Sequence, residues 1–74
     1  MSETLEKARR QFEAGEFKNA CGTLWEVRNQ VCSGDTDDAQ GLLDLASVIR
    51  DRVKGRDREA CEGCTRSARS VLTH

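Results

Sequence analysis

Apolar residues recur at spacings of three and four along most of this chain, the pattern of helices with one buried face. In residues 3–14 the stripe is Leu5, Ala8 (or Arg9) and Phe12; Ser2 is placed to cap this helix, with Glu3 and Glu6 near the positive end of its dipole. Gly15 ends it, as a residue free to take positive φ. Residues 16–32 carry the cleanest amphipathic pattern, Phe17, Ala20, Cys21, Leu24, Val27 and Val31, with Arg28 beside the stripe and Trp25 about 100° from its centre. The linker is Ser33-Gly34-Asp35-Thr36: Gly34 caps the second helix, and Asp35 or Thr36 starts the third, with Asp37 and Asp38 in its first turn.

The third helix is expected over 37–54. Leu42, Leu43, Leu45, Ala46, Val48, Ile49 and Val53 cover more than a single stripe, so this helix is expected to be touched from two sides, as the central helix or as one awaiting a partner. Gly55 then repeats the role of Gly15. A fourth helix over 57–72, with Asp57 near its cap, buries Ala60, Cys61, Cys64, Ala68, Val71 and Leu72. Several of these are small. Having Cys64 and Ser67 where the second helix has Leu24 and Val27 loses on the order of 2 kcal/mol of apolar burial. Gly63 costs roughly another 1 kcal/mol against alanine, so this is expected to be the least stable element.

The two halves repeat with a period of 40. Leu5 matches Leu45, Arg10 matches Arg50, Gly15 matches Gly55, Ala20 matches Ala60, Cys21 matches Cys61, and Val31 matches Val71. These identities fall on the first-helix face, the turn and the second-helix face, so the periodicity predicts two hairpins, about 3–32 and 37–72, in one all-α domain spanning 1–74.

Ala8, Phe12, Gly15, Glu16, Phe17, Ala20, Leu24 and Val27 make the first hairpin resemble a tetratricopeptide repeat. In that family a small residue lets the helices approach, a Gly-acid-aromatic turn reverses the chain, and a small residue four before a large apolar one packs the pair. The second hairpin keeps Val48, Gly55 and Ala60 but has Asp57 at the aromatic position and Cys64 at the large one. Thr4 and Lys7 stand where the family has an early aromatic and leucine, no proline ends either hairpin, and the period exceeds the usual 34 residues. The expected fold is thus four helices as two antiparallel hairpins, tetratricopeptide-like or a small four-helix bundle. The resemblance implies a scaffold that binds a peptide or protein on the face shared by the first and third helices, through Leu5, Arg9, Phe12, Leu45, Ile49, Arg52 and Val53. The competing expectation is that Leu5 and Phe12 are core, with Ile49 and Val53 evenly placed between the two roles.

Seventy-four residues bury only about 60% of the unfolded chain's surface, and such small scaffolds usually recruit a staple or a partner. The absence of proline and an aromatic content of 4% suit helices and argue against a sandwich or barrel. The net charge of −1 is unevenly spread: residues 1–49 hold 5 basic and 9 acidic side chains, residues 50–74 hold 7 and 4. The basic residues alternate with Asp51, Asp57, Glu59 and Glu62, which favours solvated helix faces of opposite sign over a basic patch for an acidic partner or head-to-tail association of the two ends; no aromatic stands among the arginines for base stacking on a nucleic acid. No apolar run approaches the roughly 20 residues of a membrane span, and the first ten residues lack the apolar segment of a signal peptide. The expected setting is cytoplasmic, with reduced thiols and no membrane association.

Cys61-x-x-Cys64 with Cys21 suggests metal ligation if the second and fourth helices pack together, with His74 as an added ligand; Cys32 lies roughly 16 Å along the helix from Cys21, too far to share one site. A zinc site normally shows two such pairs on turns, so the expectation is no metal and no cofactor, with Cys21, Cys61 and Cys64 as small buried side chains and a disulfide or redox pair as the alternative. Asp35, Asp37 and Asp38 lack the loop of a calcium site. With no internal histidine, no tyrosine and no glycine-rich phosphate loop, catalysis is not expected. Trp25 either seals the core edge or anchors a partner. The candidate partner-binding residues are Trp25, Leu45, Ile49, Arg52 and Val53. The expected function is a protein–protein interaction module or small regulator that docks a partner on an apolar helical face. A self-assembling homodimer is the alternative, and a nucleic-acid-binding regulator is the lesser reading.

Overall fold

The computed structural model describes residues 3–32 and 34–73. It has four helices, α1 Glu3–Glu13, α2 Phe17–Gln30, α3 Thr36–Arg50 and α4 Arg56–Thr73, and no strand among the described residues. The expected cap Ser2, the linker residue Ser33 and the terminal His74 lie outside the described residues.

The first reversal follows from Gly15. At φ 80° it lets its own N–H reach the Phe12 carbonyl (3.0 Å) while the Glu16 N–H reaches the Gln11 carbonyl (2.9 Å). This is the Schellman pattern, which satisfies carbonyls that the end of α1 would otherwise leave unpaired. Phe12 and Phe17 meet across the turn with ring centroids 5.5 Å apart. Thr23, nearly buried on α2, donates its hydroxyl to the Gln11 side-chain oxygen, adding a polar tie between α1 and α2.

Two helices end earlier than the sequence pattern suggests. α2 stops at Gln30, and Val31 turns extended while its N–H still bonds the Val27 carbonyl at 3.0 Å. α3 stops at Arg50 rather than at 54. The Asp51 and Arg52 N–H groups bond three residues back, to Val48 and Ile49, and this tightened turn ends the helix before Gly55 at φ 64°. Val31 and Val53 thus pack against the core from outside the helices. At the start of α3 the Asp35 carboxylate makes no helix cap; it accepts the Cys32 N–H at 2.9 Å and closes the linker instead.

The core is Leu5, Ala8, Ala20, Cys21, Leu24, Val27, Ala39, Leu42, Leu45, Ala46, Ile49, Cys61, Cys64 and Ala68. Leu5 reaches from α1 to α3, where its Cδ2 occupies the space a Cβ on Gly41 would need. α3 is touched by all three other helices, as its broad apolar surface requires, and so is α2. Among the described residues α1 and α4 do not touch: the helices close a ring in the order α1, α2, α4, α3, with α1 and α4 on one diagonal and α2 and α3 meeting across the other. Between the hairpins, α3 touches both α1 and α2, and α2 meets α4.

That meeting brings matched positions of the repeat together, with the Cys21 and Cys61 sulfurs 3.4 Å apart. Copies related by a simple translation would hold equivalent atoms about one interhelical distance apart, roughly 8–10 Å. Touching equivalents require a rotation, so that the two second helices of the hairpins face one another.

Leu24 is fully enclosed at the centre of α2. Leu24→Ala is expected to cost about 2–5 kcal/mol in urea unfolding. A loss below about 0.5 kcal/mol, typical of a surface substitution, would contradict its place in the core.

Candidate functional site

Trp25 lies on the rim where α2 meets α4 and is 42% exposed; among the described residues Val48 is the other large apolar residue left open. Gly63 on α4 explains how the ring fits. Its missing side chain leaves room for the indole edge, since a Cβ there would stand 3.3 Å from Trp25 Cζ3. The other constraint on the ring comes from Arg28, one helical turn on, whose guanidinium carbon lies 4.5 Å from the ring centroid, a cation–π contact. Arg28 and Gly63 therefore fix the indole while leaving part of it in solvent. A shallow cleft of about 300 Å³ opens there, lined by Trp25, Ala60 and Gly63 and edged by Arg56 and Glu59.

The other candidate partner-binding residues do not gather around Trp25. Ile49 is fully buried and Leu45 is 8% exposed, so both are spent on the core and neither forms an open docking face; Leu5 is enclosed in the same way. The physical reason is that α3 is packed by all three other helices, α4 above all, so its apolar side chains are used in the core. Arg52 is exposed after the end of α3, and Val53 lines a separate cleft of about 400 Å³ with Phe17 and Asp57 between the two hairpin turns. The exposed part of α3 is marked by Val48 instead.

Three basic residues of the C-terminal half, Arg50, Arg66 and Arg69, line another cleft of about 400 Å³ together with Thr65 and Glu62. Glu62 also pairs with Arg58 at 3.4 Å, one turn earlier on α4. The arrangement is a mixed-charge surface, with an acid inside the arginine group.

Cys21, Cys61 and Cys64 are all buried, and all three are free thiols; Cys32 is exposed at the far end of α2. Burial pushes the Cys64 thiol up to about 11, with Arg28 partly opposing the shift. Burial likewise raises Cys61, as does its hydrogen bond with Cys21. Cys21 is raised by burial and eased back by the same hydrogen bond. Among the described residues no group of three or more His, Cys, Asp or Glu side chains is placed to hold a metal ion. Also among them, no helix is long and apolar enough to cross a membrane.

Comparison with protein-family models, curated proteins and solved structures finds no match to this chain.

Sequence reasoning placed Trp25 off the α2 stripe but had no means of finding its partner. The signal was Gly63, a glycine in mid-helix with no turn to serve. Of the mid-helix glycines, Gly41 and Gly63 are met by large side chains, Leu5 and Trp25, while Gly22 is not.

The buried thiols set an alkaline limit on stability. Below pH 9.0, the ordinary thiol value, folded and unfolded chains both hold these protons. Above it the unfolded chain releases them while the folded chain retains them, so stability falls as pH rises. The melting temperature under reducing conditions is expected to be level up to pH of about 8 and to fall between about 9 and 10. A level or rising curve through that window would contradict buried, neutral thiols.

Proposed function

We propose that this chain is a small protein–protein interaction module, cytoplasmic and acting by binding rather than catalysis, which docks a partner through the Trp25 cleft on the α2–α4 side. The observation that carries this reading is the half-exposed indole held between Arg28 and Gly63. A tryptophan whose rotamer is already restrained loses little freedom when a partner covers it, and tryptophan is enriched among residues that dominate interface energy. The lining combines apolar Ala60 and Gly63 with Arg56 and Glu59 at the edge. It suits an amphipathic segment that inserts an apolar side chain beside the ring and meets charges of both signs around it.

The tetratricopeptide resemblance remains part of the proposal only as a kind of scaffold, paired helices that present a binding surface. The surface itself moves from the α1–α3 side to the α2–α4 side, because Leu5, Leu45 and Ile49 are enclosed. Nucleic-acid binding is a weaker reading, since Glu62 stands within the arginine cleft and opposes a phosphate backbone.

The test compares a protein captured by the wild-type chain with its binding to Trp25→Ala, Gly63→Leu and Val48→Ala, each checked for retained helicity. Trp25→Ala and Gly63→Leu are expected to weaken that complex by about 30-fold or more, the scale of an interface hot spot, while Val48→Ala stays within about twofold. Equal binding by Trp25→Ala would overturn the assignment of the cleft. Capture of a second copy of the chain, lost in the same two variants, would favour the homodimer.

A further inference from the structure

We infer that Cys21 and Cys61 are an oxidation site, a thiol pair that a low-molecular-weight disulfide such as oxidised glutathione converts into a covalent staple between α2 and α4. The inference is independent of the Trp25 cleft. Three observations carry it.

The first is proximity. The two sulfurs are 3.4 Å apart across the meeting of two helices, about 1.4 Å more than a disulfide bond, a gap that small side-chain rotations and a slight helix shift can close. The second is where the bond would fall. The cysteines are 40 residues apart and occupy equivalent positions of the two hairpins, so one bond joins the halves of the chain at the point where they already touch. The third is selectivity. Among the described residues the sulfur–sulfur contact is between Cys21 and Cys61, while Cys32 is exposed beyond the end of α2, away from the pair.

The chemistry balances with the oxidant as the only co-reactant. A transient opening of α4 exposes Cys21, which loses its proton to solvent and attacks one glutathione sulfur, releasing one glutathione thiolate. When α4 closes, Cys61 lies next to the mixed disulfide. It loses its proton and displaces the second glutathione as the Cys21–Cys61 bond forms. Two protein thiols are oxidised and one glutathione disulfide is reduced to two thiols. Burial of both sulfurs makes the reaction slow and dependent on opening of α4, the helix whose interior-facing residues are smallest.

The experiment uses the full chain with Cys32→Ser, which removes the exposed thiol. The folded protein is incubated with oxidised glutathione, trapped by alkylation, and cut by a glutamate-specific protease. Glu62 separates Cys61 from Cys64, so the two possible partners of Cys21 fall in different fragments. The expected result is loss of two hydrogens, one fragment joining 17–26 to 60–62, and a melting temperature raised by on the order of 10 °C that returns on reduction. The absence of a crosslink, a crosslink through Cys64, a stable glutathione adduct, or a lowered melting temperature in the linked form would each overturn the inference.

Discussion

The packing of α2 against α4 is the contact on which the molecule depends. Among the described residues α1 and α4 do not touch; they lie on one diagonal of the bundle, and α2 and α3 meet across the other. The hairpins are joined where α2 meets α4 at Cys21 and Cys61, with α3 also touching α1 and α2. Cysteine suits that position, being apolar enough to be buried yet small enough for close helical approach. Larger side chains there would push the helices apart, and smaller ones would leave a gap in a core that an 8.2 kDa chain has little surplus to tolerate.

The same approach creates the candidate site. Trp25 stands just outside the buried row of α2, and glycine at residue 63 lets α4 meet its ring without the tight contact a Cβ would make. Arg28 occupies the ring face. In this way a feature that weakens α4 in isolation, a mid-helix glycine, serves the packing of a residue two helices away in the chain. The local cost and the tertiary use belong to one arrangement.

Much of the fold was legible in the sequence because helical periodicity, turn glycines and the 40-residue repeat all agreed. Leu5, Ala8, Ala20, Cys21, Leu24, Val27, Leu42, Ala46, Cys61, Cys64 and Ala68 are inside, as their spacing required. The buried hydroxyls of Thr23 and Thr65 were not legible, since one is satisfied across the hairpin by Gln11 and the other within its helix by the Glu62 carbonyl, partners that apolar patterning does not register. The ends of α2 and α3 were also misplaced, because Val31 and Val53 continue the apolar pattern after the backbone has left the helix. The candidate site was half legible. Trp25 was identifiable by its offset from the stripe, but Leu45 and Ile49 were indistinguishable from an open face, because an apolar stripe reads the same whether or not neighbouring helices cover it.

Trp25 is the chain's one tryptophan, so its fluorescence reports on the cleft without interference. The most direct measurement is acrylamide quenching of that emission in the free, reduced protein over a wide range of protein concentration. The account requires an indole that is quenched to the same intermediate degree at every concentration, partly open and held in place. A shielded, blue-shifted emission that opens only on dilution would contradict it, because the cleft would then be covered by a second copy of the chain rather than standing ready for a partner.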